Sequence, residues 1–402
     1  MSRHLFYSAV LLLLVLMMCC NTGGAVRDAE PARGDELSPR SPFDWRDTTD
    51  DEKVSSLRVP SLVEVDGGVF AVAEAQWKKG EIGFTGIASE LLTLSDEKPK
   101  DLDLSKVKVQ LLDECRAEGE ECTYEKTVES APQSNTKVHV SRPTTVVNGS
   151  DIYMLAGNYS IGGAAASDAV RWGLLLVKGN VSDTKEKGKR IYWNDTDGLP
   201  WDIFEEHESL TRLIVGGGSG AKMKDGTFLF PVEGTKKNNK TVSLILYWNG
   251  NKNWTLLKGM FADGCSDPSV VEREDEKLIM MTACDDGRRR VYESGDKGES
   301  WTEALGTLSR VWSNKKDEEV KLVRSGFITA TLYGVETEER EVMLVTLPVY
   351  SMNKEEGNGK GELHLWLTDN THIVDIGPVS GDDDVAASSV LYKSAGSETN
   401  KK

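Results

Sequence analysis

Short strand-like segments separated by turn residues run through almost the whole chain, and this pattern limits the possible folds most strongly. The segments are rich in branched aliphatic and aromatic residues, and almost no stretch repeats with the period of a long helix. Clear examples are Val69–Ala73, Ile152–Ala156, Gly173–Val177, Phe228–Val232, Leu244–Trp248, Val342–Leu347 and Leu363–Leu367. The sequence therefore predicts an all-β protein.

The number of segments is too large for one β-sandwich, which leaves two β domains or one propeller. A repeated turn favours the propeller. In the segment Ser294–Trp301, Asp296 can accept backbone N–H bonds, Gly298 can supply a positive φ, and Trp301 can anchor the next strand.

Weaker copies of this turn precede two other tryptophans, Trp254 and Trp201. The three tryptophans are 53 and 47 residues apart, which is the spacing of four-stranded propeller blades. We therefore expect a propeller with the turn repeated between blades.

The N-terminal region has the features of a secretory signal. Residues 1–25 contain a basic start, an apolar run and a small-residue cleavage site at Gly23-Gly24-Ala25. The alternative is a membrane anchor, but the apolar run is shorter than the roughly 20 residues that a spanning helix needs. We expect a signal peptide at 1–25, a polar leader at 26–50, a propeller at 51–395 with an acidic surface insertion at 94–137, and a polar tail at 396–402.

Six Asn-x-Ser/Thr sequences lie in the body of the chain, and a secreted protein would expose them to the glycosylation machinery. They are Asn148, Asn158, Asn180, Asn194, Asn239 and Asn253. The alternative is chance occurrence in a chain rich in Asn, Ser and Thr. We expect several of these sites to be glycosylated.

The formal net charge of −17 makes the surface repel phosphate backbones, so we expect no nucleic-acid partner. After signal cleavage we expect no transmembrane span, because no second apolar stretch of spanning length follows. The chain also ends without the hydrophobic tail of a glycolipid-anchor signal. These features predict secretion or surface display, and they leave the oligomeric state open.

Four cysteines remain after signal cleavage, and an even number in an oxidising compartment favours disulfides over free buried thiols. Residues 265–284 form a predicted hairpin with its turn at Glu274-Asp275, which places Cys265 directly opposite Cys284 in the ladder. Cys115 then pairs with Cys122 by elimination.

Two local motifs resemble those of sialidases. Residues 294–301 look like the family's Asp-box, and Leu57-Arg58-Val59-Pro60 looks like its Phe/Tyr-Arg-Ile-Pro element. Longer stretches resemble the trypanosomal trans-sialidase superfamily. They are Gly264–Pro268, Val291–Ser294, Glu303–Ser309, Leu363–Asn370 and Ser388–Tyr392. The resemblance runs from about Arg58 to Tyr392.

The resemblance implies a six-bladed sialidase-type β-propeller that carries the active site, followed in the family by a lectin-like sandwich and an anchor signal. We expect this chain to have an incomplete last blade and no lectin-like sandwich, as in a truncated member or a fragment.

In that family three arginines bind the carboxylate of sialic acid through charge-assisted bonds. The resemblance places the first at Arg58. The second position holds Ala283, and the third holds Lys360, which keeps the charge but not the planar guanidinium. The predicted carboxylate site is therefore incomplete, and Arg58 could equally form a structural ion pair in the propeller centre.

The family's catalytic groups are a tyrosine nucleophile, a glutamate that activates it and an aspartate acid/base. The nucleophile position holds Ala387, and the glutamate position holds Asp267. Near the acid/base position, Glu81 is the only nearby carboxylate. The position of an aspartate that would contact the N-acetyl group holds Arg142.

Because such groups act as a unit, we expect a non-catalytic protein. Its ligand-binding candidates are Arg58, Lys360, Asp267 and Arg142, its partners are host-cell, sialylated or galactosyl glycoconjugates, and its role is adhesion or immune evasion. The alternatives are an exo-α-sialidase or trans-sialidase with an altered site, and an immune decoy without a specific ligand. We expect no cofactor and no metal, since the acidic run Asp382–Asp384 lacks the ligand spacing of calcium loops.

Overall fold

The structure is a computed structural model of the chain. It describes residues 43–50, 52–79, 82–93, 101–104, 107–114, 136–160, 171–185, 188–199, 209–250, 254–257, 263–273, 276–304, 308, 324–333, 339–350, 361–381, 385 and 387–393. All statements of structure below refer to these residues. Cys115, Cys122, Asn253, Lys360, Glu81 and the acidic run at 382–384 lie outside them.

The first half of the described chain forms one large sheet, in which two successive groups of four strands are joined and one extra strand, the first in the chain, is added at the side. Its strands are β1 (Phe43–Asp47), β2 (Val54–Val65), β3 (Gly68–Lys79), β4 (Ile82–Leu92), β5 (Lys108–Glu114), β6 (Thr136–Asn148), β7 (Asp151–Ser160), β8 (Arg171–Thr184) and β9 (Gly188–Leu199). The strand order follows the chain from β2 to β9, and β1 pairs with β5. The first group is therefore β2–β5, and the second is β6–β9.

The second half forms three further sheets. The strands of the first are β10 (Leu210–Val215), β12 (Ala221–Lys222), β13 (Phe228–Lys236), β14 (Thr241–Trp248) and β15 (Trp254–Leu256), while β11 (Gly218–Ser219) pairs in parallel with β6. The next holds β16 (Cys265–Arg273), β17 (Lys277–Cys284), β18 (Arg289–Ser294) and β19 (Thr302–Glu303). The last holds β20 (Phe327–Tyr333), β21 (Glu339–Tyr350), β22 (Gly361–Thr368) and β23 (Ile373–Pro378).

The expected all-β propeller is confirmed, because sequential antiparallel four-stranded groups follow one another along the chain. Apolar side chains fill the space between successive groups. Val146 and Leu155 pack with Phe228 and Leu246 in one cluster, and Ile279 packs with Met343 in another. Each sheet thus buries its faces against its neighbours, as blades do.

The first strands of three groups share a local distortion that positions the site. In β2, β6 and β16 the ladder register shifts at a β-bulge. At each bulge a non-glycine residue with positive φ precedes a proline, which cannot donate to the ladder. These residues are Val59 (φ 51°), Arg142 (φ 49°) and Asp267 (φ 50°).

We call β2, β6, β16, the residues around Gly217 and residues 387–393 the inner segments, because they lie around a common centre and contact one another there. Ser61 and Thr145 share a hydrogen bond between their hydroxyls, and the Gly217 N–H donates to Thr144 Oγ1 at 2.8 Å. The Leu62 N–H donates to Ser389 Oγ at 3.2 Å. This last contact joins an early strand to residues 387–393, so both ends of the described body meet at the centre.

Two predicted boundaries differ from the structure. Phe43–Asp47, placed in the polar leader, forms β1 and pairs along its whole length with β5. The strand β5 itself lies inside the predicted acidic insertion at 94–137, yet five of its seven residues are buried. The flanking Asp, Glu and Lys residues concealed the apolar core Val109–Leu112, and only pairing with β4 and β1 shows its place.

The Cys265–Cys284 disulfide is confirmed, with the two Cα atoms 4.0 Å apart. The predicted pairing of Cys265 with Cys284 is correct, but the register nearer the turn is shifted by one residue: Val270 opposes Met280. The bulge at Asp267 absorbs that shift. The Cys115–Cys122 pairing lies outside the described residues and stays a prediction.

The turn at residues 294–301 forms the hydrogen bonds that its sequence predicts. The N–H and the hydroxyl of Ser300 donate to Asp296 at 2.9 and 2.5 Å, and Ser294 Oγ donates to Asp296 Oδ1 at 2.8 Å. Gly298 has a φ of 92°, and Trp301 Nε1 donates to the Gly298 carbonyl at 3.0 Å. These bonds hold the pKa of the Asp296 carboxyl at about 2.

Candidate functional site

A cavity of about 640 Å³ opens at the centre where the inner segments meet. Four of the residues singled out from the sequence line it together: Arg58, Arg142, Asp267 and Ala387. They come from three inner strands and from residues 387–393, so only the closed arrangement of the sheets brings them together.

Arg58 lies on β2 immediately before the bulge at Val59, and its side chain is exposed at the cavity. Among the residues that the structure describes, none forms an ion pair with it. A guanidinium in this situation keeps its donors for an incoming carboxylate or phosphate. The expected structural ion pair of Arg58 is therefore not seen within the described part of the chain.

Arg142 occupies the bulge of β6, and its side chain turns to a buried glutamate from the next group of strands. Arg142 Nη1 lies 3.0 Å from Glu233 Oε2. Its backbone N–H donates to Glu74 Oε2 at 2.9 Å. Two buried carboxylates thus fix Arg142 through its side chain and its backbone.

Asp267 occupies the corresponding bulge of β16 and meets an arginine that the sequence analysis missed. Arg324 Nη2 hydrogen-bonds to Asp267 Oδ1 and lies 3.5 Å from Glu233 Oε1. Arg324 Nη1 donates to the carbonyl of Gly217 at 3.1 Å. With 6% of its surface exposed, Arg324 is a buried cation held by two carboxylates at the wall of the cavity.

Burial lowers the pKa of the Arg324 guanidinium, and the charges of Asp267 and Glu233 oppose that shift. Glu233 is 5% exposed and also accepts the N–H of Asp267 at 3.0 Å. Arg324, Asp267, Glu233 and Arg142 therefore form one ion-pair network, which we call the central network. Its two positive and two negative charges balance.

Ala387 and Ala283, at two positions where the resemblance predicts functional side chains, have different surroundings. Ala387 lines the cavity and forms a parallel bridge with Arg324. Ala283 is 2% exposed and opposes Ser266 in the ladder. The methyl group of an alanine offers neither an attacking atom nor a charge.

The sequence held one signal for the missed residues. Arg324 lies three residues before the apolar strand β20. An arginine next to a buried strand is itself partly buried, and a buried charge requires a partner of opposite charge. Glu233 likewise lies between apolar residues of β13 and is buried. Their partners are too far away in sequence for a local pattern to predict the network.

Comparison with known proteins assigns the chain to a family. A BNR repeat-like domain matches residues 59–402. A sialidase of Trypanosoma cruzi is 36% identical over 261 residues, covering 62% of this chain and 22% of that protein. Sialidase 85-1.1 of the same organism is 34% identical over 275 residues, covering 64% and 35%. The chain belongs to the trypanosomal sialidase/trans-sialidase family.

Solved structures of this family confirm the sialidase-type propeller. Trypanosoma rangeli sialidase in complex with sialic acid is 26% identical with a TM-score of 0.62, covering 87% of this chain and 55% of that one. Another structure of Trypanosoma rangeli sialidase is 29% identical with a TM-score of 0.60, covering 85% of this chain and 51% of that one. The chain thus spans about a fifth to a third of the curated Trypanosoma relatives and about half of these structures.

The predicted glycosylation sites of this sialidase-family protein lie mostly at accessible positions. The exposed asparagines are Asn148, Asn180, Asn194 and Asn239, and Asn158 lies in β7. Some of these amides already form hydrogen bonds: Asn148 Oδ1 accepts one from Lys222 at 2.8 Å. Glycosylation itself stays a prediction.

Within the described ranges, no group of three or more His, Cys, Asp or Glu side chains is arranged to hold a metal ion. The same part of the chain contains no helix that is long and apolar enough to cross a membrane.

Proposed function

We propose that this sialidase-family protein is a secreted or cell-surface glycoprotein that binds sialylated or galactosyl glycoconjugates in its central cavity without cleaving them. One observation carries the proposal: the cavity exposes Arg58 to a ligand, yet has Ala387 where the attacking residue would stand. Binding and chemistry are thereby separated, because an arginine binds a carboxylate and alanine cannot attack.

The ion pairs of Asp267 support this separation. A carboxylate that activates a nucleophile must be close to it and able to accept its proton. Asp267 instead bonds to Arg324, and Ala387, which forms a bridge with Arg324, lines the same cavity. The central network thus uses the carboxylate to balance a buried arginine.

Secretion and glycosylation belong to the same proposal and rest on the sequence. Residues 1–25 have the composition of a cleaved signal, and Asn148, Asn180, Asn194 and Asn239 are exposed, so a glycan has access to them. A role in adhesion or immune evasion follows from a surface-displayed domain that binds host glycans.

The first experiment measures hydrolysis and binding on the same sample. The secreted chain from residue 26 is mixed with a fluorogenic sialoside, with Trypanosoma rangeli sialidase as the active reference, and sialoside binding is followed by calorimetry. We expect no hydrolysis, and binding that weakens about 10- to 100-fold in Arg58→Gln, because a charged hydrogen bond contributes roughly 1.5–3 kcal/mol.

Arg288→Gln is the matched control, because Arg288 is an exposed arginine in the turn between β17 and β18. It should bind the sialoside as the unmodified chain does. Hydrolysis by the unmodified chain that Arg58→Gln abolishes would support the altered sialidase instead. Equal loss of binding in Arg58→Gln and Arg288→Gln would contradict the proposal that the sialoside binds in the cavity.

A restoration experiment tests why the chemistry is absent. Ala387→Tyr alone should not hydrolyse a sialoside, because the substrate would remain poorly anchored and no acid would be supplied. Ala387→Tyr, Ala283→Arg, Lys360→Arg and Asp267→Glu combined should tighten sialoside binding before any turnover appears. Turnover by the single variant would show that the remaining site is already sufficient.

A further inference from the structure

The cavity extends well beyond its charged centre, and its outer wall is apolar. From the inner strand β2 it continues across β3 and β4 towards Val107, which directly precedes β5. These are three strand spacings, a distance of about 14 Å. A monosaccharide whose carboxylate contacts Arg58 would leave the outer part of the cavity, towards Val107, empty.

Small side chains create the outer space. Ala73 on β3 opposes Ala88 on β4 in the ladder, and both line the cavity. Leu57 and Leu102 supply larger apolar surfaces at the edges. Leu102 is 37% exposed, so its side chain is accessible to a ligand in the cavity.

The charged groups are unevenly distributed along the cavity. Arg58 and the central network are at its inner end, whereas Glu90, opposite Ala71, is the charged residue among the lining positions on β3 and β4. A carboxylate ligand is therefore attracted at the inner end and repelled at the outer end. This polarity fixes which end of an amphiphilic ligand enters first.

We propose, on the basis of the function proposed above, that the cavity binds a carboxylate that carries an apolar group. The carboxylate contacts Arg58, and the apolar group lies along Ala73, Ala88 and Leu102. Ligand cavities of this size are mostly apolar with a few polar groups that fix orientation. Because Arg58 is the exposed arginine among the described residues that line the cavity, the apolar wall must supply much of the affinity.

The test compares methyl, butyl and octyl α-glycosides of sialic acid, each below its micelle concentration, by calorimetry with the secreted chain. Burying one methylene contributes about 0.8 kcal/mol, so affinity should rise about three- to fourfold per methylene while the chain follows the wall. Octanoate, which has the carboxylate and the apolar group but no sugar, is measured in parallel.

Leu102→Ser should weaken binding of the octyl glycoside about tenfold and leave the methyl glycoside unchanged. Leu104→Ser is the matched control, because Leu104 is 40% exposed and lines a different pocket. Both positions are exposed leucines, so neither change should unfold the protein. The control should bind all ligands as the unmodified chain does.

The outcomes separate the two proposals. Octyl and methyl glycosides that bind equally would overturn the apolar wall and leave sialoside binding intact. Octanoate that binds while no sialoside does would support the wall and overturn the proposed function. An octyl effect that is equally lost in Leu102→Ser and Leu104→Ser would also overturn the wall, because the gain would then come from surface adsorption.

Discussion

The turn at residues 294–301 and the central cavity differ in how far along the chain their residues find hydrogen-bond and ion-pair partners. In the turn, the hydrogen bonds of Asp296 reach Ser294, Glu299 and Ser300, within four residues along the chain. In the cavity, the bonds of Arg324 reach Gly217, Glu233 and Asp267, which come from two other groups of strands. The turn is therefore held by local bonds, whereas the charges at the cavity pair across groups of strands.

This difference follows from the physical chemistry of the two regions. A turn whose donors and acceptors lie in one short segment keeps its bonds whatever happens elsewhere. A buried charge requires a partner from a distant strand, and when the set of charges changes the remaining ones must pair anew or remain desolvated. The central network pairs its charges across distant strands, and Arg58 is the exposed arginine among the described residues that line the cavity.

The largest effect that the comparison predicts is at Arg324. Arg324→Ala leaves Asp267 and Glu233 without their shared cation, and loss of one partner of a buried ion pair costs about 3–5 kcal/mol. We expect the free energy of unfolding, measured with urea, to fall by that amount. Lys178→Ala, which breaks the more exposed pair with Asp151, should change it by less than about 1 kcal/mol.

A small effect of Arg324→Ala would show that Arg142 alone balances both carboxylates. The Arg142 guanidinium already lies 3.0 Å from Glu233, so it is in place to balance that carboxylate after Arg324 is removed. The triple change Arg324→Met, Asp267→Leu and Glu233→Gln would then test whether the network stabilises the fold at all, because replacing a buried ion set with apolar groups is often neutral.

The second effect concerns the disulfide, which lies two residues from Asp267 and closes the hairpin at the cavity. Cys265→Ser with Cys284→Ser should lower the free energy of unfolding by about 2–4 kcal/mol, the range for loops of this length. Peptide mapping without reduction should find the two cysteines linked. Both cysteines alkylated as free thiols in the secreted protein would contradict the pairing.

The third effect compares the same substitution at two glycines of the turn, Gly298 and Gly295, and measures the free energy of unfolding. Gly298 has a φ of 92°, and a Cβ there would lie 2.4 Å from Leu257 Cδ1. Gly298→Ala should therefore cost about 1–3 kcal/mol of unfolding free energy. At Gly295, three residues earlier, a Cβ meets no atom within 4 Å, so Gly295→Ala should be nearly neutral. Equal effects would show that the turn contributes little.

The same contrast explains what could be predicted from the sequence. The turn and the Cys265–Cys284 ladder were predictable because both are local: a hairpin register fixes which residues oppose. The grouping of Arg58, Arg142, Asp267 and Ala387 came from resemblance to a family, which supplies long-range contacts that no local pattern contains.

The unpredicted parts all depend on distant partners. β1 is a strand only because β5 offers its edge, and β5 is buried only because β1, β4 and β6 surround it. Arg324 and Glu233 are 91 residues apart and meet only when the sheets close around the centre. Charge-rich surroundings hid β5, and distance along the chain hid the network.

The smallest predicted effect is the pH dependence of the turn. Because the hydrogen bonds from Ser300 and Ser294 hold the pKa of Asp296 at about 2, below its ordinary value of 3.8, the native state binds this proton less readily than the unfolded chain. The resulting stabilisation is fully present above pH 3.8 and is lost as the pH falls through about 2. Asp296→Asn should therefore lower the melting temperature at pH 6.

At pH 2 that difference should be much smaller, because the wild-type carboxyl is then about half protonated in the folded protein and mostly protonated in the unfolded chain. Gly295→Ala, which removes no titrating group from the same turn, should shift the melting temperature by the same small amount at both pH values. A difference between Asp296→Asn and the unmodified chain that persists unchanged at pH 2 would mean that the ionised carboxylate does not hold the turn. The turn would then depend on the shape of the Asp296 side chain, and on the Trp301 and Gly298 contacts, rather than on its charge.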